Sequence, residues 1–202
     1  MTGMQMTMRR FRRGPRRARY GLWAMAGLGM FVLQAPECAE AGGAPFSARG
    51  GIELAQAAAL AWAEDARLIY VENDEPVDAG GNAERWGYLY LSPSRDKYRV
   101  YSIENGKIEV ATDLGFIFDA PALPETWIDS EQAFLKAEKD AGIDFRAKHA
   151  GALESMMLVR GVLHHDEPNK ATWALVYSSE SSPSLFVLVD ASSGDIVKKW
   201  RG

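Results

Sequence analysis

The sequence predicts an α+β protein built of two repeated units, each a helix packed on a three- to four-stranded antiparallel sheet. A sparse pattern occurs twice, first as Trp86, Tyr90, Ser92, Val100, Gly106, Ile108 and again as Trp173, Tyr177, Ser179, Val187, Gly194, Ile196. The offsets agree from Trp to Val, and the glycine falls one residue later in the second copy. Each copy follows an Ala-rich segment with helical spacing. Within each copy, short alternating stretches are separated by turn residues. A weak internal repeat of this kind marks one small unit used twice.

In the first unit, Ile52 to Ala66 holds no Gly or Pro, and Ile52, Ala55, Ala59, Trp62 and Ala63 recur at three- and four-residue spacing. That spacing predicts an amphipathic helix. Leu68 to Val71 is apolar and β-branched, which predicts a strand. Asn73 to Ala83 carries Asp, Pro and a Gly pair, the composition of a loop. Trp86 to Leu91 alternates bulky and small residues and Tyr98 to Ile103 alternates again, which predicts strands. Glu104-Asn105-Gly106 is a hairpin signal, and Lys107 to Ala111 continues as a further strand. Asp113 to Pro124 bridges the units. Phe116, Ile117, Phe118 and Leu123 are too apolar for a free linker, so the bridge is expected to pack.

The second unit opens with Asp129 or Ser130 as N-cap and with Glu131 and Gln132 in the first turn, where carboxylates suit the helix dipole. Ala133, Phe134, Ala137 and Ala141 mark one helical face, and Gly142 reads as its end. Strands are expected at Leu153 to Leu163, Thr172 to Ser178, Leu185 to Val189 and Asp195 to Trp200. Turns are expected at Asp166 to Asn169 and Ser192-Ser193-Gly194.

The N-terminus reads as an export signal. Arg9, Arg10, Arg12, Arg13, Arg16, Arg17 and Arg19 precede an apolar run from Gly21 to Leu33, and Ala39-Glu40-Ala41 precedes Gly42. A basic region, a short apolar core and a small-residue site make a secretory signal. The run falls short of the roughly 20 residues that span a bilayer. The small-residue site favours cleavage over a retained anchor, and the arginine pairs leave the twin-Arg route as a lesser option. The expected organisation is a signal peptide at 1–41, a flexible leader at 42–51, and units at 52–120 and 121–202. The product is expected to be periplasmic or secreted, with no stable membrane span after cleavage.

Removing the leader changes the charge. The chain has 23 basic and 27 acidic residues; without seven leader arginines and Glu37 and Glu40, 16 and 25 remain, a net −9. An acidic surface argues against a nucleic-acid or anionic-membrane partner. Cys38 is the one cysteine. The Pro36-Glu37 before it departs from the small-residue pattern of a lipidated cysteine. With the signal it is lost, leaving no disulfide or thiolate site.

Candidate chemistry is sparse. His164-His165-Asp166-Glu167 is the densest group of ligand-type residues. Neighbouring strand residues point to opposite faces, which sets the two imidazoles apart, and Pro168-Asn169 marks a turn. His149 lies beside Lys148. A Ser155, His164, Asp166 triad lacks a nucleophile motif such as G-x-S-x-G. Asp190 to Asp195 has two carboxylates without the alternating ligands and closing Glu of a calcium loop. Glu72, Asp74, Glu75 and Asp78 form an acidic run that reads as a solvated loop or a contact for a basic partner. Trp86 and Trp173 read as helix-on-sheet core, with an exposed aromatic surface as the rival. Trp200 reads as core or interface. Gly106 and Gly194 are expected at positive φ, and Asp190 is expected to accept amides in an Asx turn. No catalytic, cofactor-binding or metal-binding residue is assigned, no cofactor is expected, and an enzyme is not expected.

The second unit resembles a PepSY domain. The matching pieces are the helix from Glu131-Gln132-Ala133 to Ala141, the strand beginning at Trp173, and the ending Val187-Leu188-Val189-Asp190-Ala191-Ser192-Ser193-Gly194-Asp195-Ile196-Val197. The first unit resembles it more loosely: Tyr101-Ser102-Ile103-Glu104-Asn105-Gly106-Lys107-Ile108 lacks the Asp-Ala pair and is one residue shorter. These are turn and packing residues, of low specificity. The resemblance implies a non-catalytic module that binds a protein or peptide partner, a peptidase among the candidates, as inhibitor or chaperone. An accessory subunit of an envelope complex and a small hydrolase or ligand-binding protein are the other readings.

Overall fold

The computed structural model describes residues 43–163, 167 and 169–202; the expected signal peptide and the His164-His165-Asp166 cluster lie outside the described residues. Eight strands form the sheet: β1 (Arg67–Asn73), β2 (Arg85–Ser92), β3 (Lys97–Glu104), β4 (Lys107–Leu114), β5 (Ala152–Arg160), β6 (Ala171–Ser178), β7 (Leu185–Asp190) and β8 (Ile196–Arg201). Their order is β4-β3-β2-β1-β5-β6-β7-β8, with every neighbour antiparallel. The two stretches expected to carry separate sheets therefore share one. They join where Val71 faces Leu158, both fully buried. The physical reason is that joining β1 to β5 removes two free strand edges. It also merges two small apolar faces into one core, which a unit of this size needs.

Helix α1 (Ile52–Trp62) buries Ala55 and Ala59, one turn apart, where small side chains let it lie close to the sheet. It stops short of Ala66 because Ala63 is extended. Beyond it, Asp65 accepts from the Ser92 hydroxyl (2.7 Å) and from the Ser94 amide (2.6 Å), which directs the chain into β1. Helix α2 (Ser130–Ala137) is capped by Asp129 in a capping box with Gln132 and buries Ala133, Phe134 and Ala137. Gly142 does not end this helix. A π-turn (Glu138–Gly142) leads into α3 (Ile143–His149), which ends at Ala150 in the left-handed region. Gly142 is helical, and its missing Cβ is a matter of space: a Cβ there would lie 2.6 Å from both Tyr177 Oη and Glu138 Oε1.

One core cluster holds the buried faces of α1 and α2 together with Trp86, Tyr88, Trp173, Leu175, Tyr177 and Val187. Trp86 and Trp173 are both fully buried, in an edge-to-face pair at 6.2 Å, and Trp127 meets Trp173 at 5.8 Å. The Trp86 indole donates to Phe46 O (2.7 Å) and the Trp173 indole to Ile128 O (2.8 Å). Both carbonyls lie in the segment leading to a helix, Phe46 ahead of α1 and Ile128 ahead of α2. The stretch expected to be a flexible leader is thus tied down from Phe46 onward. Phe46 pairs with Ala83, Ala48 is fully buried, and its amide donates to Ser130 Oγ (3.0 Å).

The bridge after β4 packs in part. Leu123 N donates to Leu68 O (2.8 Å), Arg160 Nη1 donates to Ala122 O (2.9 Å), and Phe118 lies edge-on to Tyr70 at 5.3 Å. Phe116 and Ile117 remain outside.

Candidate interaction surface

The sheet ends in two strands of different character. β4 pairs only with β3, and all its residues but Leu114 are exposed. Ile108 and Val110 keep 37% and 43% of their surface in solvent; Phe116 and Ile117, just beyond, keep 59% and 82%. Near the Asn105-Gly106 turn a register shift leaves Glu109 without an opposite residue, because Ile108 faces Ile103 and Val110 faces Ser102. From Val110 to Leu114 the register is regular.

At the other end, β8 pairs only with β7 and carries Lys198, Lys199 and Arg201. Trp200 stacks on Phe186 (4.9 Å, 6°) with the Lys198 ammonium 5.5 Å from its ring. Lys199 reaches Asp140 at 2.8 Å, and the Arg201 guanidinium lies 4.6 Å from the Phe145 ring centre. These side chains tie β8 to the helical segment across a cleft of about 380 Å³ that Lys148 and His149 also line. Cations of this kind blunt a strand edge.

A polar network crosses the first half of the sheet. Glu72, Gly87 and Ser102 are opposed in register, and Asp74 sits over Gly87, where a Cβ would come within 2.9 Å of its carboxylate. Asp74 accepts from the Ser102 hydroxyl. Arg85 pairs with Glu75 (2.5 Å), Glu104 (3.5 Å) and Asp74 (3.9 Å). Tyr70 donates to Glu72 at 2.7 Å. Burial, helped by the Asp74 charge, pushes the Glu72 carboxyl above its ordinary value despite that bond. Asp78 accepts from the Gly80 and Asn82 amides and closes its own loop. The acidic run is therefore largely occupied by internal partners rather than solvated.

The second half holds a pair, a buried carboxylate with a partly exposed guanidinium, that sequence reasoning missed. Glu138, 5% exposed, accepts from Arg146 beneath the π-turn. Burial, followed by the Glu138 charge, raises the Tyr177 phenol. Spacing offered no signal for this pair, since residues eight apart in an uninterrupted α-helix lie about 12 Å apart along the axis, beyond the i,i+3 and i,i+4 pairs that spacing reveals.

The remaining candidates disperse. His149 Nε2 lies 3.4 Å from Arg201 Nη1, and its ring tilts against Phe145. Ser155 is half-buried on β5, while the other two members of its drawn triad lie outside the described residues. Glu167 pairs with Lys170 at 2.7 Å. Asp190 accepts from the Ser192 and Ser193 amides (2.8 and 3.1 Å) and pairs with Lys170 (3.3 Å). Burial alone would raise its carboxyl; the bonds from Ser192, Ser193 and Lys170 outweigh it and bring it to about 2. Gly106 and Gly194 have φ of 67° and 77°, as expected of their turns. Among the described residues, no three His, Cys, Asp or Glu side chains converge as metal ligands. No described helix is long and apolar enough to cross a membrane.

No family model matches the chain, and no curated protein does. Among solved structures, a protein of Clostridium difficile 630 described as a "putative lipoprotein" shares the fold, with a TM-score of 0.52 and 10% sequence identity over 75% of this chain and 93% of that one. At that identity the likeness concerns the arrangement of the chain.

Proposed function

We propose that this is an exported, non-catalytic protein-binding module, formed from two PepSY-like units fused through one sheet. The observation that carries the reading is the bare, partly apolar edge at β4. An unpaired edge binds an extended segment by adding a strand. Duplication is supported by parallel details: each Trp indole donates to a carbonyl before a helix. Each Ser-x-Ser pair, Ser92/Ser94 and Ser179/Ser181, bonds the C-terminal side of its helix, at the Asp65 carboxylate after α1 and at the carbonyl of His149, the last residue of α3. Export rests on the basic and apolar N-terminal pattern, and the lipoprotein description of the structural neighbour agrees with an envelope location. The PepSY resemblance makes a peptidase the first target class to examine.

The test is cross-linking of the chain from Gly42 onward in envelope extract, with sites mapped by mass spectrometry. Cross-links to one protein concentrated at Lys107 and the Phe116 region support the reading. Links scattered over the helices, or none above background, defeat it. The exposure of Phe116 and Ile117 also favours an accessory-subunit role. That role predicts a stable complex through purification rather than exchangeable peptide binding.

A further inference from the structure

We propose that, if the edge reading above holds, the docking strand is β4 alone, and that its occupant is an extended segment alternating apolar and basic residues. The two edges are equivalent in topology and opposite in chemistry. On β8, three cations and the Lys199–Asp140 and Arg201–Phe145 contacts occupy the approach. On β4, the strand's own cation is Lys107, at the turn end; Arg99 and Lys97 of β3 pair with Asp113 (2.8 and 3.5 Å), and Arg99 donates to Ala111 O (3.3 Å). The regular edge runs from Val110 to Leu114, about 17 Å of strand at ~3.4 Å per residue.

The apolar strip supplies the second determinant. Val110 on the edge and Phe116 and Ile117 beyond it are among the most exposed large apolar residues described. A partner strand leaving Leu114 would run onto Phe116 and Ile117, covering apolar surface as well as pairing amides. Charge supplies the third. Residues 42–120 hold 7 basic and 13 acidic residues, net −6, against 9 and 12 in residues 121–202. On the edge itself Asp113 is paired with Arg99 and Lys97, whereas Glu109 is exposed and forms no ion pair among the described residues, which leaves it as the free carboxylate of β4. This field attracts a basic strand. It also opposes a second copy, which would bring an equally acidic half against it.

The experiment uses the chain from Gly42 onward and a dye-labelled synthetic peptide alternating valine and lysine, with a valine-glutamate peptide as comparison. Fluorescence anisotropy reads affinity, and amide hydrogen exchange reads the site. The expected result is binding of the lysine peptide, with slowed exchange confined to Lys107–Leu114 and its flank. Val110→Lys places a blocking cation on the edge and should weaken binding about tenfold or more, with thermal unfolding unchanged. Slowed exchange at β8 instead overturns the assignment to β4 and leaves the edge reading standing. Equal binding of the glutamate peptide overturns the charge assignment. A dimer by sedimentation that protects β4 without peptide overturns the proposed occupant in favour of a second copy. No binding of either peptide, with cross-links absent from every edge, defeats both this inference and the reading it rests on.

Discussion

The two halves of the sheet solve the same problems with different devices. The β3–β4 hairpin turns through Asn105 and Gly106 alone, both at positive φ (52° and 67°), the two-residue turn whose twist matches the strands. The β7–β8 connection is longer. It is closed by Asp190 N donating to Asp195 O (2.8 Å) and Gly194 N to Asp190 O (2.9 Å), with the Asp190 carboxylate holding two more amides. The first helix is a single 11-residue rod, whereas the second continues through a π-turn that buries Glu138 against the partly exposed Arg146. The first half ends in a bare edge, the second in a cationic one. Equivalent topology thus leaves room for one half to keep an open edge while the other is closed against pairing.

The largest effects should come from the shared tryptophan centre. Trp173→Ala should cost about 4–5 kcal/mol and Trp86→Ala about 3–4 kcal/mol by urea unfolding, as for other buried aromatic truncations. Trp173 should be the costlier because it packs against both Trp86 and Trp127. Equal or reversed costs would show that the first half carries more of the core than its contacts suggest.

Next come the two glycines beneath tyrosine hydroxyls. Gly51→Ala sets a Cβ 2.5 Å from Tyr88 Oη, and Gly142→Ala sets one 2.6 Å from Tyr177 Oη. Overpacking of this kind should cost about 1–3 kcal/mol at each. Tyr88 is held by its bond to Ala48 O (2.7 Å), so Gly51→Ala should be the less tolerated. Adding Tyr177→Phe should recover part of the loss at Gly142. A double variant no more stable than Gly142→Ala would mean that the hydroxyl is not the obstacle.

The halves should also respond oppositely to acid. Asp190, at about 2 in the folded chain, lies below the ordinary unfolded value of about 3.9. Its contribution is present above pH ~4 and lost as pH falls through ~2. Glu72 is raised, so folding disfavours its charged form. Its cost is present above its folded value and disappears below the unfolded value of about 4.3. Stability measured across pH 2–7 should fall less steeply in acid for Asp190→Asn. It should be higher at neutral pH for Glu72→Gln. Parallel shifts of both variants would contradict the assigned signs.

The smallest effect is expected at Lys148, whose pair with Asp144 has both side chains mostly in solvent. Lys148→Ala should change stability by no more than about 0.5 kcal/mol.

Local signals in the sequence located most of the elements. Alternation around Trp86 and Tyr98 marked β2 and β3, Asn105-Gly106 marked a hairpin, and Asp129 or Ser130 marked the start of α2, where the structure places the cap at Asp129. Each depends on neighbours a few residues apart, where periodicity and turn chemistry act. The sequence by itself determined most of the element types and the acidic balance, and it favoured a core role for both tryptophans that burial then decided. The pairing of β1 with β5, the passage of the helix through Gly142, the anchoring of Phe46 to Gly51 and the contrast between β4 and β8 came only from the tertiary structure. Each depends on groups far apart in the chain. Val71 meets Leu158, Gly142 meets Tyr177, and Ala48 meets Ser130. An edge is free only once every other strand has found its partner.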